Sequence, residues 1–321
     1  MNNILQFLFY ILIFPGFAFC VVAGLLIAGI DRKLVARMQK RIGPPILQPT
    51  YDFLKLLGKE TIIPRHAARK VYLAAPVVGL LSLVTVSLFI PIFNFSIFDK
   101  PVADLIVIIY LLTIPGVALI IGGSASGSPY AGVGISREMV AILSYELPLV
   151  IVLLTIGRKV GMALDGNITF SLKAIVDYQA QYGPMIAQWS MIPAAIALLL
   201  VIPCKVGSLP FDIAEAEIEI CEGPLVEYSG PPLGIFKLNH AIKMFIMTSL
   251  FVTLFLSGAG TNFVALNVLI QFALAVVVTF ISISVLKAIT ARLRVEQTFK
   301  FYWTYPTALA LLSLVLVWLG L

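Results

Sequence analysis

The chain of 321 residues is 60% hydrophobic and only 12% charged, and its mean hydropathy is +1.03. These values exclude an ordinary water-soluble globule, in which about 25% of residues are charged. The net charge of +6 would suggest anionic partners in a soluble protein, but membrane topology explains it here, so we expect no nucleic-acid partner.

Eight segments are long and apolar enough to cross a bilayer, which takes about 20 apolar residues. The first has neither a basic n-region nor a small-residue cleavage site, so we predict a retained span rather than a signal peptide. The sequence predicts an all-α integral membrane protein whose single membrane domain is residues 1–321. The predicted spans are roughly 4–30, 71–93, 105–123, 138–157, 190–204, 240–257, 263–286 and 304–321.

Basic residues lie mainly on one side of these spans. The connection 31–70 holds ten of the 22 lysines and arginines. With these ten included, 18 of the 22 lie on the same side of the membrane as this connection. The positive-inside rule therefore predicts that this connection, the acidic connection 205–240 and the stretch 292–300 are cytoplasmic, and that both termini face outwards. We expect the protein in the cell (plasma) membrane.

The connection 31–70 contains a predicted amphipathic helix. Pro49 can occupy its first turn, and Asp52, Lys55 and Lys59 then share one face, opposite an apolar face. Such a helix lies on the lipid bilayer surface and can also serve as a docking platform for a cytoplasmic partner. The predicted docking residues are Arg37, Arg41, Asp52, Lys55, Lys59, Arg292 and Arg294.

The span 138–157 carries a single glutamate in its apolar part, Glu146, followed by Pro148, which tends to break or kink a helix. A carboxyl group inside a span is a functional-site hypothesis by default, ahead of a local packing role. Arg137 and Glu138 can pair with it or with the acidic connection. The preceding segment, GGSASGSPYAGVG, is predicted to be a flexible loop that serves close backbone packing or a hinge.

Six of the sixteen acids lie between Asp212 and Glu227, in the run DIAEAEIEICEGPLVE. A helix over 212–222 would place Asp212, Glu215, Glu219 and Glu222 on one stripe, with Glu217 off it, Gly223-Pro224 at its end and Glu227 on a new segment. Such carboxyls titrate as a coupled set with some pKa values raised, and they can pass protons. The alternative is a solvated loop.

His240 and Lys243 enter the next span from this acidic side. His240 can relay protons because its ordinary pKa is near 6.5, although a packing role at the helix end is an equal alternative. Lys243 is expected to pair with the acids or to extend towards the interface. The three cysteines form no CxxC pair, so we expect no redox cofactor and no metal in this chain.

Several motifs resemble the H subunit of respiratory complex I, also called mitochondrial NADH dehydrogenase subunit 1. The run LPFDIAEAEIEICEGPLVEYSG from Leu209 is similar to its PFD–x–x–E–x–E–x–E…EYSG signature. The segments around Arg41-Ile-Gly-Pro, Leu143-Ser-Tyr-Glu146 and Arg292–Gln297 are similar to its first connection, its glutamate-bearing span and its basic stretch. The resemblance covers nearly the whole chain, and the motifs occur in the family's order.

The resemblance implies an eight-helix subunit that anchors a peripheral redox arm and couples its electron transfer to ion movement in antiporter-like membrane subunits. Nickel–iron and iron–sulfur centres are then expected in peripheral large and small partner subunits. It also implies an arginine near the chamber, Arg137, and a proton or coupling path made of Glu146, Asp212, Glu215, Glu217, Glu219 and Glu227.

Three departures favour a hydrogenase-type relative within this family. His240 ends a segment in which the complex I protein carries an acid, Glu222 is an added acid, and Glu296 stands where aspartate is usual. They favour the subunit of an energy-converting membrane-bound [NiFe] hydrogenase that translocates protons or sodium. The same subunit of a sulfur-reducing complex, a quinone chamber and a passive anchor remain alternatives. A secondary transporter is less favoured because no symmetric pair of broken helices occurs.

Overall fold

The computed structural model describes residues 2–92, 105–164, 168–258, 260–261 and 263–320, except the side chains of residues 2–4, 217 and 218. The fold is all-α, as predicted. The helices are α1 (Asn2–Leu12), α2 (Phe17–Met38), α3 (Gln48–Leu57), α4 (Arg69–Phe89), α5 (Leu105–Ser126), α6 (Pro129–Leu164), α7 (Leu172–Tyr182), α8 (Ile192–Val206), α9 (Glu217–Ile220), α10 (Gly230–Phe251), α11 (Val264–Thr279), α12 (Val285–Ile289) and α13 (Val295–Trp318).

Eight helical stretches of the described chain are long and apolar enough to cross a membrane, and each overlaps one predicted span. Three begin nine or ten residues earlier than predicted, at Pro129, Gly230 and Val295, because their charged ends are helical too. Pro148 lies inside α6 and does not end it. The stretches are Leu5–Met38, Arg69–Phe89, Leu105–Ser126, Pro129–Leu164, Trp189–Val206, Gly230–Leu256, Val264–Ile289 and Val295–Trp318. The chain is therefore a multi-pass membrane protein.

The segment 122–134, predicted as a flexible loop, is almost entirely helical, so that prediction was wrong. α5 runs to Ser126 and α6 begins at Pro129. The interpretation as close backbone packing is confirmed, because a Cβ on Gly123 or Gly134 would lie 3.0 or 2.5 Å from the Pro224 side chain. The small residues thus let the acidic connection pack directly on α5 and α6.

The central helix is α10, which packs against α2, α3, α4, α8 and α11 and is almost completely buried. Its contact with α2 is a backbone contact, since a Cβ on Gly24 would lie 2.9 Å from the Ala241 carbonyl oxygen. Small residues of this kind allow close helix packing in membranes, where apolar burial between helices gains little against lipid. The surface of α10 that faces the acidic connection carries His240 and Lys243.

A pair of tyrosines fixes the far end of the acidic connection. The rings of Tyr72 and Tyr228 stack at 4.0 Å with an interplanar angle of 2°. The Tyr72 hydroxyl donates to the Glu227 carbonyl at 2.6 Å, and the Tyr228 hydroxyl donates to the Tyr72 carbonyl at 3.0 Å. Burial raises the pKa of Tyr228, so this hydroxyl stays protonated and the clamp holds at physiological pH.

Candidate functional site

The acidic connection is not the helix that its charge spacing suggested. Only Glu217–Ile220 is helical, so the predicted stripe of Asp212, Glu215, Glu219 and Glu222 is wrong. The backbone turns left-handed at three successive residues, with φ of +50° at Cys221, +69° at Glu222 and +52° at Gly223. That turn brings Gly223 against Ala214, whose carbonyl oxygen would lie 2.1 Å from a Cβ at 223.

The folded-back connection closes one end of a cavity of about 450 Å³ between α2, α3 and α10. Three of the predicted acids, Asp212, Glu215 and Glu222, line this main cavity together with His240. Their assembly in one place is therefore real, although a loop rather than a helix produces it. Other charged residues of the wall are Asp31, Arg32, Asp52, Lys55, Lys59, Lys237 and Lys287.

A smaller cavity of about 50 Å³ extends from the acids towards the middle of the bundle. Its wall contains Asp212, Glu215 and His240, which also line the main cavity, together with Glu138 and Lys243. From the sequence, Glu138 was expected only to pair with Glu146 or with the acidic connection. Its position three residues before Ala141, on the buried face of α6, is the signal that could have placed it inside.

Glu215 lies outside the spans, and its pKa is clearly shifted by the site. Burial, followed by the nearby charges of Asp212 and Glu138, raises the pKa of Glu215 to about 8. The carboxyl group therefore holds a proton at neutral pH and can release it when the surrounding charge changes. This is the behaviour expected of a coupled set of acids in a poorly hydrated place.

The pH dependence of stability should report this carboxyl. In the unfolded chain, a glutamate has a pKa of about 4.3. Between this pH and the higher pKa of the folded state, the folded state binds more protons than the unfolded state, so the free energy of unfolding falls as pH rises. The stabilisation is complete below the unfolded pKa and is lost as pH passes about 8. We expect melting curves of the purified protein to show that loss and Glu215→Gln to remove it, while Glu219→Gln keeps it. An unchanged slope in Glu215→Gln would contradict the assignment.

The remaining acids of the connection lie elsewhere. Glu219 is 58% exposed and pairs with Arg137, as the sequence allowed. Glu227 is also exposed, and the Glu217 side chain lies outside the described residues. The solvated-loop description thus fits Glu219 and Glu227 but does not fit Asp212 and Glu215, which are partly buried.

Arg292 holds the start of the acidic connection in place. Its guanidinium donates to Asp212 at 3.1 Å, and the Leu293 backbone N–H donates to the Pro210 carbonyl at 3.1 Å. Arg292 is therefore partly engaged within the chain, whereas the other predicted docking arginines are exposed: Arg37, Arg41 and Arg294.

The predicted amphipathic helix exists as α3, with Pro49 in its first turn. Its charged residues, Asp52 and Lys55, and the nearby Lys59 line the main cavity rather than facing away from it. Asp52 accepts hydrogen bonds from Arg32 at 3.1 Å and from Gln48 at 2.9 Å. The outward face of α3 is apolar. The helix therefore covers the cavity with its charged face and is also a surface helix.

Glu146 lies on α6, partly buried and directly after the buried Tyr145. Lys205 of α8 is buried against the Tyr145 ring, with its Nζ 5.2 Å from the ring centroid, and Glu146 acts on it electrostatically. From the sequence, Lys205 was expected at the start of the cytoplasmic connection 205–240, so its burial was missed. In the part of the chain that the structure describes, no group of three or more His, Cys, Asp or Glu residues has the arrangement of metal ligands.

Comparisons with known proteins identify the family of this chain. A family profile described as NADH dehydrogenase matches residues 10–318. Formate hydrogenlyase subunit 4 of Escherichia coli is 30% identical over 282 residues, which is 87% of this chain and 89% of that protein. The H subunit of the NADH-quinone oxidoreductase of Dehalococcoides mccartyi is 31% identical over 310 residues, which is 94% of this chain and 83% of that protein.

The fold is also similar to a solved structure. One chain of the membrane-bound sulfane sulfur reductase, described as an archaeal respiratory membrane complex, superposes with a TM-score of 0.81 and 32% sequence identity. The match covers 93% of this chain and 96% of that one. The chain therefore belongs to the NADH dehydrogenase family, within which its relatives include the H subunits of NADH-quinone oxidoreductases and subunit 4 of formate hydrogenlyase.

Proposed function

We propose that this chain is the coupling subunit of a complex-I-like membrane-bound hydrogenase. It anchors the peripheral large and small subunits, in which the nickel–iron and iron–sulfur centres lie, and it contacts antiporter-like subunits in the membrane. The cavity side faces the cytoplasm, and the bilayer is the plasma membrane. Electron transfer in the partners changes the charge near the main cavity, and the acids respond by taking up or releasing ions.

One observation carries this proposal: the titratable groups form a continuous set from the main cavity into the bundle. Glu215 and His240 line both cavities, and Glu138 and Lys243 line the inner one. Glu215, outside the spans, has a pKa near the pH of a cell. A charge that arrives at the main cavity can therefore alter protonation further inside, which is what coupling requires.

The identity of the electron acceptor has a second candidate. The cavity between the first span and α3 lies where a quinone opening is expected, and its volume of about 450 Å³ is within the usual range for small-molecule sites. The H subunit of an NADH-quinone oxidoreductase is among the relatives. Against quinone as ligand, the wall is densely charged, whereas sites for apolar ligands carry few polar groups. A co-purifying partner with two CxxC pairs and bound nickel would decide for the hydrogenase.

The coupling role is tested in membrane vesicles that contain the whole complex. We expect Glu146→Gln to lower ion-gradient formation by roughly tenfold or more, because a neutral amide cannot exchange a proton. Dye-linked activity of the peripheral arm should stay unchanged, because this chain supplies no electron carrier in the proposal. Asp177→Asn, an exposed acid on α7, is the matched control. Undiminished gradients in Glu146→Gln, together with intact assembly, would refute the coupling role.

A further inference from the structure

Lys205 is a cation placed where a cation is unfavourable. It is 0% exposed, in the last turn of α8, and its Nζ has no hydrogen-bond partner among the residues that the structure describes. Removing an ammonium group from water without a partner is costly, and ionisable groups inside spans are functional-site candidates for that reason. A methionine would fill the same volume without this cost, so packing alone does not account for a lysine.

The surroundings of Lys205 favour its charged form in part. The Tyr145 ring lies 5.2 Å from Nζ, within the range of a cation–π contact. The carbonyl end of a helix, where Lys205 is placed, also favours positive charge. Glu146 attracts the ammonium and Lys243 repels it. The titratable groups that face this region from the adjoining helices are Glu138, Tyr145 and Glu146 of α6, Cys204 of α8, Lys243 of α10 and Tyr302 of α13.

Lys205 also has neighbours in two parts of the site, the inner cavity and the region of Glu146. The next residue, Val206, lines the inner cavity together with Glu138 and Lys243. On its other side, Lys205 lies on Tyr145, the residue directly before Glu146. Lys243 of the inner cavity and Glu146 both act electrostatically on the Lys205 ammonium, which thereby links the two.

We propose that Lys205 is the counter-charge of Glu146, and that it makes the ionisation of Glu146 depend on the charge in the inner cavity. A charged Lys205 stabilises the ionised carboxylate. Positive charge on Lys243 opposes charge on Lys205 and so weakens that support. Lys205 acts here as a positioning residue that works through Glu146. This inference rests on the proposed coupling function and adds the link between the cavity and Glu146.

The test compares Lys205→Met, Lys205→Arg and Lys300→Met in vesicles that hold the whole complex. Lys300 is an exposed lysine of α13 and serves as the matched control for loss of one charge. We expect Lys205→Met to lower ion-gradient formation about tenfold, within the usual range of a coupling free energy. Lys205→Arg should retain most of the ion-gradient formation because the positive charge is kept.

Two further measurements separate this role from a structural one. The infrared band of the protonated Glu146 carboxyl group is assigned by its loss in Glu146→Gln. This band should be larger in Lys205→Met at neutral pH, because the carboxylate has lost the positive charge that stabilises it. The melting temperature should stay the same or rise, since a buried ammonium group that makes no hydrogen bond within the described chain is replaced by an apolar side chain of similar size, and Glu146 can take up a proton in its place.

Full ion transport and an unchanged carboxyl band in Lys205→Met would overturn the inference. If Glu146→Gln abolishes transport in the same experiment, the coupling function stands and only the role of Lys205 falls. If Glu146→Gln transports normally, the coupling function itself falls. A structural role would show as a lower melting temperature and loss of assembly in both Lys205→Met and Lys205→Arg. That result would also overturn the inference.

Discussion

Replacing Lys287 with methionine is expected to lower the free energy of unfolding by about 3 kcal/mol. The Lys287 ammonium lies 3.0 Å from a carboxylate oxygen of Asp31, whose side chain is 3% exposed. Ser284 donates to the other oxygen at 2.7 Å. Without the lysine, this buried carboxylate keeps only the Ser284 hydrogen bond among the described residues, and an uncompensated buried charge is strongly destabilising. Chemical denaturation in detergent micelles measures the difference.

The chain offers a matched control for this ion pair. Arg32 and Asp52 also lie 3.1 Å apart in the wall of the same cavity, but their side chains are 49% and 44% exposed. Exposed pairs contribute about 0–1 kcal/mol, so Arg32→Met should change stability little. The double variant Asp31→Asn with Lys287→Met should recover most of the loss. Equal effects of Lys287→Met and Arg32→Met would show that burial of Asp31 is not what makes the pair important.

The eight spans were predictable because a bilayer leaves a chain few choices. Each crossing must satisfy its own backbone hydrogen bonds and must be about 20 apolar residues long, so hydropathy locates the helices. Hydropathy does not locate their polar ends. α6 begins at Pro129, nine residues before the predicted start, because the polar residues before Glu138, such as Ser136 and Arg137, are helical rather than part of a loop.

The composition of the candidate site was only partly predictable, for a different reason. The charges of the acidic connection predicted a cluster, and three of its acids do meet in one cavity. Their arrangement depends on the contact between Ala214 and Gly223, which joins residues nine positions apart and leaves no periodic pattern. The burial of Lys205 is likewise a tertiary property, since a lysine at a span end is usually at the membrane surface.

Replacing Gly223 with alanine should be among the most disruptive single-methyl changes in the acidic connection. The backbone at Gly223 has a φ of +52°, which costs about 1–2 kcal/mol for a residue with a Cβ. That Cβ would also lie 2.1 Å from the Ala214 carbonyl oxygen, a backbone atom that cannot rotate away. We expect a total loss of about 3 kcal/mol or more in the free energy of unfolding.

Two other glycines separate the causes of that loss. Gly207 has a φ of +82° but nothing within 4 Å of its Cβ position, so Gly207→Ala should cost about 1–2 kcal/mol from the backbone conformation alone. Gly132 lies in α6 without a positive φ and without a close neighbour. Gly132→Ala should therefore stabilise the protein by about 0.5–1 kcal/mol.

The contact between Ala214 and Gly223 also affects the candidate functional site. Glu222 precedes Gly223 and Glu215 follows Ala214, so a shift that relieves the clash must move at least one of the two acids in the cavity wall. We therefore expect Gly223→Ala, but not Gly207→Ala, to change the pH at which the Glu215-dependent stability is lost. If both variants keep that pH dependence, the contact between Ala214 and Gly223 supports the fold without setting the environment of the acids. If Gly223→Ala alone changes it, one close backbone contact holds the acids in the place where they can respond to charge.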